Sequence, residues 1–96
     1  MGESTGKATY KVPHGKLITA KVTYETSMAR VEITGDFFVH PEDGLSAIES
    51  SIEGIAANAN EHDIAVAVQS AIDANNIQTI GIDAVSIAKV VKMAIR

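Results

Sequence analysis

Three histidines, one adjacent pair of carboxylates and one turn lysine are the residues of this 96-residue chain whose types could do chemistry. His14 stands between Pro13 and Gly15, His40 precedes Pro41, and His62 follows Glu61. A zinc site built from them would show paired spacing, two ligands one helical turn apart or flanking one tight turn. These three fall in three different elements, and surface or capping roles account for them. Glu42 and Asp43 could do acid–base work only if burial drove their pKa values apart. At the start of a helix, the macrodipole alone accounts for two acids. Lys16, after Pro13-His14-Gly15, could face an anion. A phosphate-cradling loop, however, needs more glycine and a following helix, and here a strand pattern follows. The chain has no cysteine, which removes disulfides, thiolate metal ligands and thiol nucleophiles. No complete catalytic site can be assembled from this set.

The most distinctive segment is Gly35-Asp36-Phe37-Phe38-Val39-His40-Pro41, which holds both phenylalanines of the chain. Adjacent residues leaving a strand point to opposite faces. One ring is therefore expected in the core beneath the first helix. The other, with His40 and Pro41, is expected to form an exposed contact patch.

The elements that position these residues are legible as two regimes of hydrophobic period. Up to about residue 36 the period is two: Ile18, Ala20, Val22 and Tyr24 alternate with Thr19, Lys21, Thr23 and Glu25, and Ala29, Val31 and Ile33 alternate with Arg30, Glu32 and Thr34. One face of a sheet is thus buried and the other wet. The connections at 13–15 and 26–27 are short, so the segments form an antiparallel meander of about 8–12, 17–25 and 29–36. Afterwards the period is helical. Leu45, Ile48, Ile52 and Ile55 predict a helix over about 44–54, started by Pro41-Glu42-Asp43 and closed by Gly54. Asn60 with Asp63 reads as a capping box for a helix over 61–75. Asp83 caps a third over 84–95, with Ile82 stapled onto Ile87 and Lys92 and Arg96 at its carbonyl end. Residues 77–82 form a short extended segment. The expected fold is a two-layer α+β domain, a three-stranded antiparallel sheet on three helices, over residues 7–96 after a polar lead at 1–6.

Length and charge bound the rest. A chain this short holds one core and has no room for a deep cavity within it. Between Arg30 and Lys89 there is no lysine or arginine, and that stretch carries ten of the 12 acids. A field of that sign repels phosphate backbones and anionic lipid, so neither nucleic acid nor membrane is an expected partner. There is no apolar run of membrane-spanning length and no secretory signal, which together with the absence of cysteine fits a cytoplasmic protein.

The run Lys11-Val12-Pro13-His14-Gly15-Lys16-Leu17-Ile18, the hairpin end Val31-Glu32-Ile33-Thr34-Gly35-Asp36-Phe37-Phe38, and His40-Pro41-Glu42-Asp43 with Leu45 and Ile48 resemble the C-terminal accessory domain of lipoate–protein ligases. The resemblance is firm over residues 11–54 and rests on apolar periodicity beyond. It implies an accessory subunit of a split, archaeal-type ligase, needed for ATP-dependent lipoate adenylation before lipoyl transfer to a carrier-domain lysine. It implies a heterodimer with a large catalytic subunit, and indirect contact with the lipoyl carrier domain. ATP, Mg and lipoate would be held by the catalytic partner, with no cofactor and no catalytic residue on this chain. On this reading Phe37, Phe38, His40, Pro41, His14, Gly15 and Lys16 form the partner interface. Met1 and its short polar lead fit a free-standing protein, with a domain excised from a fused ligase as the other reading. The alternative is a small-molecule or sulfur-carrier-like scaffold without catalysis, against which the lack of cysteine argues.

Overall fold

In the computed structural model, which describes residues 2–13 and 15–95, the alternating region becomes an antiparallel meander. Its strands are β1 (Ser4–Lys11), β2 (Leu17–Tyr24) and β3 (Met28–Gly35), in the order β1-β2-β3. β1 starts inside the polar lead, because Ser4, Thr5 and Gly6 pair with Tyr24, Thr23 and Val22. Ile18, Ala20, Val22, Val31 and Ile33 line the inner face, each at most 2% exposed. The turn after β2 alters the predicted alternation at one point. Tyr24 pairs with Met28 but Thr23 pairs with Arg30, so Ala29 is an extra, bulged residue. Met28 takes the buried position and Ala29 the exposed one.

Helices α1 (Gly44–Ile52) and α3 (Ala84–Ala94) pack on that inner face, and α2 (Glu61–Ala74) packs on both of them. Capping chemistry sets two of their starts. Asn60 Oδ1 accepts the Asp63 N–H at 2.8 Å, and Asp83 Oδ1 accepts the Ser86 N–H at 2.7 Å. Ile82, just before the second cap, is buried with Ile87 as a staple requires. α1 differs: it begins at Gly44, so Glu42 and Asp43 precede its first turn, and Asp43 makes no side-chain capping bond. α1 ends where Gly54, at φ +95°, turns the chain so that its N–H donates to Met28 O at 2.8 Å. Among the described residues, no helix is long and apolar enough to cross a membrane.

α3 lies closest to the sheet. Its inner side, including Ile87, Val90, Val91 and Ala94, is almost wholly buried. At Gly6 the approach is so close that a Cβ would run into the Ala94 carbonyl oxygen, which explains glycine inside a strand. Two further strands, β4 (Phe38–His40) and β5 (Gln78–Ile80), pair as a separate antiparallel ribbon. β5 lies within the extended segment expected at 77–82.

The outer edge of β3 is closed by carboxylates from α1 and from the residue that caps its end. Glu53 Oε2 accepts the Val31 N–H at 3.1 Å and Glu49 Oε2 accepts the Ile33 N–H at 2.8 Å. These alternate amides face away from β2 and would otherwise offer a template for another strand. Burial pushes the Glu49 carboxyl up from the ordinary carboxylate range. The Ile33 amide pulls it back, and the nearby charges of Glu53 and Glu32 raise it further. A carboxyl raised in the folded state contributes most below its unfolded pKa, and that contribution is lost as pH rises through the folded value. Glu49→Gln keeps an acceptor for the Ile33 amide without the charge. It should match or exceed the parent's stability at neutral pH and flatten the pH dependence across the carboxylate range. Urea unfolding at several pH values measures this, and a large loss at neutral pH would contradict it.

Candidate interaction site

The end of the sheet at which β1 passes to β2 gathers three connections. The first is the turn after β1, where Gly15 N–H donates to Val12 O at 2.8 Å and Val12 N–H to Lys16 O at 3.1 Å. The second is the Asp36-Phe37 link from β3 to β4. The third is Gly81, between β5 and the cap of α3. Gly81 lies between the other two: a Cβ on Gly15 would stand 3.0 Å from Gly81 O, and a Cβ on Gly81 3.5 Å from that of Phe37. With φ +91°, Gly81 occupies backbone space that side chains rarely adopt, so this junction depends on glycine. A shallow pocket of about 210 Å³ opens beside it, lined by Val12, Pro13, Gly15, Gly81, Ile82 and Asp83. Asp83 is committed there to its helix cap.

The two phenylalanines separate as their adjacency requires. Phe37 is half-buried against the core, while Phe38 is 73% exposed. Directly across the ribbon from Phe38 stands Ile80, 68% exposed. The two therefore form a cross-strand apolar pair in solvent, on a ribbon only three residues long. Leu17, at the start of β2, is a further exposed apolar residue at this end, at 57%.

The other expected interface residues divide. Gly15 and the exposed Lys16 join Phe37 and Phe38 at this end through the Gly81 junction. His40 and Pro41 lie at the far end of β4, roughly 7 Å along the strand, with His40 paired to Gln78. Both are exposed. They stand nearer a second open pocket of about 350 Å³, lined by Ile72, Asp73, Asn76, Ile77 and Gln78. His14 lies outside the described residues. Glu42 and Asp43 are exposed in the turn before α1. Among the described residues no group of three His, Asp or Glu side chains is placed to hold a metal.

Ile80 and Gly81 are not prominent in the sequence. The signal is faint: Ile80 breaks the pattern set by its buried neighbours Ile77 and Ile82, and its partner lies about 40 residues away in sequence. What the end of the molecule can do is bind. It offers exposed apolar rings and branched side chains around a rigid glycine junction, with a lysine beside them.

Phe37 and Phe38 should respond differently to truncation. Phe37→Ala should lower unfolding free energy by about 2–4 kcal/mol, somewhat below a fully buried ring. Phe38→Ala should change it by no more than about 0.5 kcal/mol, as an exposed position does. Urea unfolding of the two variants reads the difference, and equal losses would contradict the assignment.

No protein-family profile matches the chain, and no curated protein sequence matches it. Among solved structures it is similar to a chain from an archaeal lipoylation system of Thermoplasma acidophilum, described as a bipartite lipoate protein ligase and its E2 lipoyl domain. That likeness has a TM-score of 0.75 at 19% identity and covers 93% of this chain and 96% of the other. The two chains share one fold over almost their whole lengths.

Proposed function

We propose that this chain is the non-catalytic small subunit of a two-part lipoate–protein ligase, required by its catalytic partner for adenylating lipoate. The observation that carries this reading is the end-to-end likeness to a chain of a bipartite ligase system. The likeness runs over 93% of this chain and 96% of the other. The sequence over residues 11–54, which resembles the accessory domain of such ligases, supports the same reading.

In this role ATP, Mg and lipoate belong to the large subunit, and the small one acts by holding it in the adenylating conformation. A ligand shifts an equilibrium only by its differential affinity for the two states. Taking the large subunit from mostly inactive to mostly active requires about 5.5 kcal/mol of such preference. An interface of standard size, about 1,600 Å², with a few apolar anchors can supply it. Phe38 and Ile80 are the anchors: exposed, opposed, and fixed by the backbone of a paired ribbon. Gly15 and Lys16 flank them, and His40 and Pro41 extend the surface along β4.

The test is lipoyl-adenylate formation by the catalytic subunit with and without this chain. Addition of the chain should raise the rate at least about tenfold, and Phe38→Ser/Ile80→Ser should remove most of that gain while leaving the small subunit folded. Equal rates in the presence and absence of the wild-type chain would refute the reading.

A further inference from the structure

The sheet has two edges, and the chain treats them differently. At β3 the outward amides of Val31 and Ile33 are taken by Glu53 and Glu49. β1 is the other edge, and among the described residues no strand pairs on its far side. Its register with β2 runs from Ser4 to Lys11 without a bulge, and it contains no proline. Side chains border this edge on both faces. Away from the helices stand Thr5, Lys7, Thr9 and Lys11, all exposed. Towards the helices stand Gly6, Ala8 and Tyr10, which are half-buried. α3 runs beside them, with the Ala94 carbonyl against Gly6 and the Lys89 ammonium 5.5 Å from the centre of the Tyr10 ring. Val85 and Met93, one turn either side of Lys89, are exposed. An open row of backbone groups is thus bordered by an apolar margin, which is what an added strand needs.

A second copy of the chain is the occupant that the sequence of β1 fits. Closed homodimers are two-fold, so residue i of one copy meets residue j of the other, and j meets i. Between two antiparallel strands that axis stands perpendicular to the sheet, and residues directly opposite share a face. Outward residues therefore meet outward residues, and the axis passes beside a single residue of the strand. An axis at Lys7 sets Lys7 against Lys7, and an axis at Thr9 sets Lys7 against Lys11 twice. Like charges directly opposite destabilise a sheet, so both registers fail. Axes nearer either end of the strand pair fewer residues. An axis at Ala8 sets Lys7 against Thr9 and Lys11 against Thr5, and no lysine directly faces another. The same register sets Tyr10 against Gly6, and an aromatic ring beside an edge glycine is a stabilising cross-strand pair. Lysines on an edge keep other strands away. Here their spacing admits one pairing and rejects its neighbours.

We propose that β1 pairs with β1 of a second copy of this chain, antiparallel about a two-fold axis at Ala8, joining two three-stranded sheets into one continuous sheet. The paired stretch runs from Thr5 to Lys11 in each copy. The small Ala8 side chains meet on the axis, and each Tyr10 enters beside Gly6 of the other copy. Some lysines remain diagonal neighbours, about 7–8 Å apart, so their repulsion loosens the dimer at low salt. Phe38 and Ile80 belong to neither β1 nor α3 and stay free in both copies. The inference does not rest on the ligase reading; with that reading, it makes the assembly two of each subunit.

Sedimentation equilibrium of the full chain measures this, with circular dichroism to establish that each variant is folded. The wild-type chain should dimerise with a Kd below about 1 mM, and the dimer should tighten as salt rises. Thr9→Lys puts a like charge opposite Lys7 and should weaken the dimer at least about tenfold, whereas Thr9→Glu puts an opposite charge there and should tighten it. Because the chain has no cysteine, single substitutions read the register. Ala8→Cys brings two thiols together at the axis, within disulfide reach, and should give a covalent dimer under air oxidation. Thr9→Cys leaves its thiols diagonal and should cross-link far more slowly. A wild-type chain that is monomeric at about 1 mM overturns the proposal and leaves the edge to a strand of another protein. A Thr9→Lys variant whose Kd stays within about twofold of wild type also overturns it, as does cross-linking of Thr9→Cys as fast as that of Ala8→Cys. Failure of the ligase reading shows instead as adenylation indifferent to this chain, and it leaves these outcomes unchanged.

Discussion

The packing of α3 onto β1 and β2 is the constraint on which the rest of this structure depends. Gly6 lets the end of that helix come against the strand backbone, and a single added carbon would collide with the Ala94 carbonyl. With α3 held there, Ile87, Val90 and Val91 are buried in the same core as Ala20 and Val22, and α2 packs on α3. In a chain of this size there is no second core to compensate for a misplaced first one. The position of the helix start follows as well. Asp83 caps α3 and Ile82 staples it, so the residues just upstream, Ile80 and Gly81, are carried to the end of the sheet. The exposed ribbon is therefore a consequence of how the core is closed.

The sheet's edges show how a small domain limits unwanted pairing without enlarging itself. At β3, Glu49 of α1 and Glu53, the residue that caps its C-terminal end, reach amides two residues apart on the strand. The 5.4 Å pitch of a helix and the roughly 6.6 Å two-residue repeat of a strand are close enough for this match. Placing carboxylates there has an electrostatic cost, visible in the upward push on Glu49. At β1 the same end is reached with Lys7 and Lys11 on the solvent side. Neither device needs an added helix, so the outer face stays open.

Much of this was legible in the residues because the governing interactions are local or periodic. The alternation through Ile18, Ala20 and Val22 follows from a sheet with one wet face, and the caps at Asn60 and Asp83 act within three residues of themselves. Where the interaction is long-range, the pattern is silent. Ala29 falls outside the alternation because a bulge lets Met28 take the inward place, and the reason is the anchoring of Met28 to Gly54 and Ile55, far along the chain. β4 and β5 are three residues each, too short for a period to declare itself. Their pairing sets Ile80 against Phe38 and Gln78 against His40, two steps along one face of the ribbon. The segment was visible as unusual; which of its side chains share a surface was decided by a strand about 40 residues downstream.

The apolar end and the outer face of the sheet differ in how their chemistry can be tolerated by the free subunit. Phe38 and Ile80 are large apolar groups in water, on a ribbon that contributes little to the core, and a lone exposed pair of that kind is stable only because it is small. It gains by being covered permanently. The lysine-and-threonine face gains nothing from permanent burial, since covering it would strip water from Lys7 and Lys21 with one acid, Glu32, among them. Such a face is satisfied by solvent.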